Sequence, residues 1–74
     1  MRYDQLNEIL KLDISDELKT EFKKKFNKRI YFEWAGVCKI GTLIGYYEPN
    51  NYIIKVSDTL NYYLPIESSI SILE

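Results

Sequence analysis

The residues of this chain that can recognise a ligand are aromatic, amide and cationic, and those that perform most enzyme chemistry are missing. Its 74 residues contain no His and a single Cys, Cys38. That leaves no Ser/Lys or Cys/base pair at a diagnostic spacing for nucleophilic catalysis, no zinc set and no internal disulfide. Gly41 and Gly45 lie inside an apolar run, not at a helix start, so they do not form a phosphate-cradling loop. Glu48 and Asp58 fall in turn sequence, where a carboxylate is ordinarily just solvated. The composition predicts a non-catalytic protein with no metal and no cofactor.

Binding chemistry is better represented. Seven tyrosines are present, and Tyr46, Tyr47, Tyr52, Tyr62 and Tyr63 cluster in the second half. In an extended strand, adjacent side chains point to opposite faces. One member of Tyr46–Tyr47 and one of Tyr62–Tyr63 therefore face a core, and the other is free to stack on a base or to bury at a protein interface. Lys23, Lys24, Lys25, Lys28 and Arg29 form a basic run that could contact phosphates. The same cations also suit the C-terminal end of a helix. Net charge is −1, so no global field draws in nucleic acid.

The elements that must position these groups differ between two segments. Residues 1–29 hold eight Lys/Arg against six Asp/Glu and no Gly or Pro; residues 30–74 hold two Lys against five acids, with all three Gly and both Pro. No Gly/Ser/Pro linker separates them, so a single domain over 1–74 is expected: a helical segment over 1–29, then strands. Tyr3, Leu6, Ile9 and Leu10 share one helical face, and Leu18, Phe22 and Phe26 form the stripe of a second helix capped by Asp13 or Ser15. From Ile30 the period falls to two. Ile30, Phe32 and Trp34 alternate, Gly36 marks a turn, and Val37 to Tyr47 reads as one long strand bent at Gly41 and Gly45. Glu48-Pro49-Asn50-Asn51 is a turn. Further short strands follow through Tyr52–Val56, Leu60–Leu64 and Ser69–Glu74. The fold class expected is α+β, mostly β: a helical segment followed by a five-stranded, strongly bent antiparallel small barrel.

Over residues 30–74 this pattern resembles the Sm-like family, which includes the Lsm proteins and bacterial Hfq. Gly41, Leu43, Gly45 and Asn51 match its first motif, and Glu48 stands where Asp is common. Tyr62-Tyr63-Leu64-Pro65-Ile66 followed by Ser69-Ile70 has the apolar shape of the second motif, without its Arg-Gly or Lys-His. The resemblance implies a homo-oligomeric ring joined through the fourth and fifth strands, with RNA or a small nucleotide as ligand. It implies a base contact at Asn51, a stacking tyrosine on the same rim (Tyr47 or Tyr63), and phosphate contacts from Lys24, Lys25 and Lys28. Tyr63-Leu64-Pro65 also resembles the approach to the last strand of SH3-like barrels.

Two functions follow as expectations. The first is a binding module that self-assembles and holds RNA or a nucleotide-type ligand. The second is an adaptor or inhibitor protein whose Tyr-rich surface docks a protein partner without nucleic acid. A homo-oligomer, with a closed ring preferred over a dimer, is expected because a core this small rarely supplies more than roughly 3–5 kcal/mol; ring formation favours the first function and a monomer the second. Charged residues at the N-terminus and the lack of a long apolar run predict a cytoplasmic protein with no membrane partner.

Overall fold

The computed structural model describes residues 1–73; Glu74, the end of the expected last strand, lies outside the described residues. In chain order the elements are β1 (Arg2–Tyr3), α1 (Leu6–Ile9), α2 (Asp16–Lys25), β2 (Arg29–Trp34), β3 (Val37–Tyr47), β4 (Asn51–Ser57), β5 (Leu60–Pro65) and β6 (Ile70–Ile72). The protein is mostly β. Its strands form one six-stranded antiparallel sheet in the order β5-β4-β3-β2-β6, with β1 paired to the far end of β3.

The N-terminal segment is less helical than its periodicity implies. Tyr3 leaves the expected helical face and enters β1, opposite Tyr46, and α1 is a single turn of four residues. Helix α2 is longer and well signalled. Ser15, not Asp13, caps it, its Oγ accepting from the Leu18 amide at 3.1 Å. Acids open this helix and lysines close it, in keeping with its dipole. It ends where Phe26 turns extended and Asn27 takes φ 62°, a conformation a short amide side chain tolerates. Leu18 and Phe22 of α2 and Ile9 of α1 pack on one face of the sheet, against Ile30, Phe32 and Leu43.

Curvature enters at two places. Ala35 and Gly36, at φ 52° and 79°, form a two-residue hairpin loop between the paired Trp34 and Val37; positive φ at both positions matches the sheet's twist. In β3 the register against β4 slips between Leu43 and Gly45, a bulge that bends the long strand. The glycines of this strand are demanded by crowding. A Cβ on Gly41 would sit 2.7 Å from the Ile54 Cγ2 methyl and 2.8 Å from the Lys55 carbonyl oxygen, and one on Gly45 would collide with the Tyr3 carbonyl oxygen.

The bent strands do not close into the expected five-stranded barrel. Strand β6 pairs only with β2 and β5 only with β4, so the hydrogen-bonded path has two ends. The three residues of β6 pair with Ile30–Phe32 of β2 and not with β5, and residues 66–69 carry the chain between the two edges. The sixth strand, β1, was not expected.

Candidate functional site

The pleat of β3, β4 and β5 divides the tyrosines between the two faces of the sheet, neighbouring residues pointing to opposite sides. Tyr46 and Tyr52 are 2% and 4% exposed and face α2, where Phe22 meets their rings at centroid distances of 5.9 and 5.5 Å. Tyr62 lies on the same face, packed edge-on against Phe32 at 5.7 Å and Trp34 at 5.0 Å. Tyr47 and Tyr63 point the other way and are 40% and 41% exposed.

On that outer face Tyr47, Asn51 and Tyr63 line one shallow depression of about 340 Å³. Tyr47 is the register partner of Asn51 across β3 and β4, and Tyr63 pairs with Ile53 two residues further along β4. The two rings lie 5.2 Å apart at 81°, edge to face. They therefore form a corner, not a sandwich: one ring presents its face to an incoming planar group while the other braces it. Half-buried Asn51 adds an amide that both donates and accepts hydrogen bonds. Fully buried Ile53 lies between Gly45 and Tyr63 in the pairing and supports this face from outside the main core.

Sequence reasoning missed one member of this neighbourhood. Arg2 pairs in register with Tyr47 through β1, and its Nε donates to Asp4 Oδ1 at 2.7 Å. That hydrogen bond, seconded by the Asp4 charge and by Tyr63 nearby, raises the affinity of the guanidinium for its proton. No local signal marks Arg2, because only the pairing of β1 with β3 brings it to the site.

The helix lysines are elsewhere. Helix α2 covers the core face, opposite the Tyr47–Asn51–Tyr63 corner. Lys24 and Lys28 are exposed there. Lys25 is committed, its Nζ 2.6 Å from Glu21 Oε2 and donating to the Ile70 carbonyl at 2.9 Å. The same pair holds the Glu21 carboxyl below its usual range, the Lys25 hydrogen bond being the main cause. The fold thus unites Tyr47, Asn51 and Tyr63 but leaves Lys24, Lys25 and Lys28 apart from them.

Exposed Cys38 accepts a hydrogen bond from the Tyr31 hydroxyl at 2.7 Å. Among the described residues no cluster of His, Cys, Asp or Glu could hold a metal ion, and no helix is long and apolar enough to cross a membrane. No protein-family model matches the chain, and neither curated proteins nor solved structures give a significant match.

Proposed function

We propose that the protein is a non-catalytic, Sm-like binding module that takes bases of single-stranded RNA on the outer face of β3, β4 and β5. The carrying observation is the convergence of Tyr47, Asn51 and Tyr63 on one depression. An exposed ring for stacking beside an amide for edge recognition is what an unpaired base requires. Arg2 stands beside Tyr47 as the cation for a phosphate, exchanging part of its bond to Asp4. Self-association belongs to the same proposal: the open edges of β5 and β6 each present unpaired backbone groups to a second copy.

Titration of labelled uridine-rich and adenine-rich oligonucleotides at low and moderate salt tests the ligand. Asn51→Ala and Tyr63→Ala should each weaken binding by about 1–3 kcal/mol. Arg2→Ala should mainly flatten the salt dependence. A Lys24/Lys25/Lys28 triple alanine variant should bind nearly as well as wild type, since those cations lie on the other face. Binding unaffected by both Asn51→Ala and Tyr63→Ala would sink the base corner.

A second reading has its own observation. Tyr31 and Ile40, register partners on the outer face of the β2–β3 hairpin, are both exposed, as is Val37 at its tip. A tyrosine-bearing apolar surface of this kind suits a protein partner in an adaptor role. Absence of oligonucleotide binding at low salt would put this reading first.

A further inference from the structure

On the core side, a groove of about 260 Å³ runs between the first half of α2 and the turn after β5, lined by Glu17, Glu21, Tyr52, Ile66 and Glu67 with Ser15 at its end. Three carboxylates converge there. Glu21 is paired with Lys25, whereas Glu17 and Glu67 have no cation partner among the described residues. Tyr52 lines the same groove. It is only 4% exposed, and among the described residues its hydroxyl has no hydrogen-bond partner. That oxygen is not sealed from solvent, so it opens into the groove it lines. Burial, followed by the Glu21 charge, pushes its ionisation upward; it stays a neutral phenol whose oxygen can accept from a donor. Carboxylates around an unpartnered phenol oxygen match a group that is all donor and positively charged: an ammonium.

The chain itself carries such groups. Lys23 and Lys24 at the other end of α2, and Lys28 just beyond it, are exposed and form no ion pair among the described residues. Acid and base lie toward opposite ends of a ten-residue helix: Glu17 is six and seven residues from Lys23 and Lys24, about 9–10 Å along the axis at helical rise, and the one lysine of this end that reaches the groove, Lys25, is taken by Glu21. We propose that the Glu17–Glu67–Tyr52 groove is the docking site for the lysine-rich end of α2 of a second copy of this chain. The clasp rests on the self-association part of the function proposed above and is independent of its ligand. It adds what edge pairing lacks: hydrogen bonds along a strand are indifferent to sequence, whereas an acidic groove meeting a basic helix end sets which copies join and in what register.

Sedimentation velocity at low and moderate salt decides it, using wild type, an acid-side reversal (Glu17→Lys with Glu67→Lys) and a base-side reversal (Lys24→Glu with Lys28→Glu). All four positions are exposed, and circular dichroism should show both variants folded. Wild type should associate, more weakly as salt rises. Each reversed variant alone should associate about tenfold or more weakly, because like charges then meet at the contact. Mixed in equal amounts, the two variants should co-assemble, since every contact again joins opposite signs. Tyr52→Phe, which keeps the ring and removes the oxygen, should weaken wild-type association about threefold, a hydrogen bond's worth. Association unchanged by either reversal would overturn the clasp and leave edge pairing standing. A wild type that stays monomeric at every concentration would overturn self-association and the clasp together.

Discussion

Tyr46 and Tyr47 are neighbours in the chain, yet one lies buried in the core and the other on the surface. Tyr52 and Tyr63, on paired strands, repeat the contrast. On the α2 side the phenols are packing units: Phe22 meets Tyr46 edge-on and Tyr52 at a tilt, and the Tyr46 hydroxyl donates to the Pro49 carbonyl, tying the β3–β4 turn to the strand before it. On the outer side Tyr47 and Tyr63 touch chiefly each other, with Asn51 alongside. A tyrosine-rich strand thus builds a core and a binding face at once, and the pleat alone decides which ring does which.

The sharpest way to break this contrast is truncation. Tyr46→Ala and Tyr52→Ala should each cost about 3–5 kcal/mol, the range for losing a buried aromatic ring. Tyr47→Ala and Tyr63→Ala should stay within about 0.5 kcal/mol while weakening ligand binding. Urea melts of the four variants check it, and equal losses on both faces would show that the outer tyrosines are structural.

Gly45→Val comes next, at about 1–3 kcal/mol. The valine side chain would displace the Tyr3 carbonyl and so detach β1. Faster amide exchange across β1 should accompany the lower melting temperature. Because β1 carries Arg2 to the outer face, the variant should also lose salt-dependent binding more than the core loses packing. Undisturbed exchange at Tyr3 would mean that β1 is not seated on Gly45.

Alkaline titration probes the buried tyrosines. Burial, with the Glu48 charge second, raises the Tyr46 ionisation, and burial followed by Glu21 raises that of Tyr52. In the unfolded chain both phenols lose their protons near pH 10. Above that pH the unfolded state binds fewer protons than the folded one, so stability is complete below about pH 10 and falls as pH climbs toward the raised folded values. Melting temperatures across this range should drop, and Tyr46→Phe should reduce the drop. An unaltered alkaline slope in that variant would remove Tyr46 as its source.

The smallest expected effect lies off both faces. Ala35 holds φ 52° in the hairpin loop, which costs a non-glycine residue about 1–2 kcal/mol. Ala35→Gly should relieve part of that, offset by the entropy of the freer unfolded chain. A net gain of about 0.5 kcal/mol, with no change in ligand binding, would place the hairpin loop outside the binding surface.

Much of this organisation is legible locally. Alternation around Tyr46–Tyr47 and Tyr62–Tyr63 marks one ring of each pair for the interior, since a strand has no other way to dispose of neighbouring side chains. The 3–4 spacing of Leu18, Phe22 and Phe26, the charge gradient of α2, the turn after Tyr47 and the absence of His are likewise plain in the sequence. These features depend on backbone geometry within a few residues. Other features depend on residues far apart in the chain. Tyr3 fits a helical face but belongs to β1, because β3 offers its backbone a partner some forty residues on. Gly45 looks like a bend and is one, at the bulge of β3, but it is also a close approach, because the Tyr3 carbonyl of β1 lies over it. The sheet stays open where five strands look sufficient for a barrel, because three residues of β6 reach β2 and not β5. Arg2 joins the tyrosine corner while Lys24, Lys25 and Lys28 are carried to the opposite face. Charge counts identify the cations, but only the packing of α2 and the pairing of β1 decide which of them a ligand on the outer face would meet.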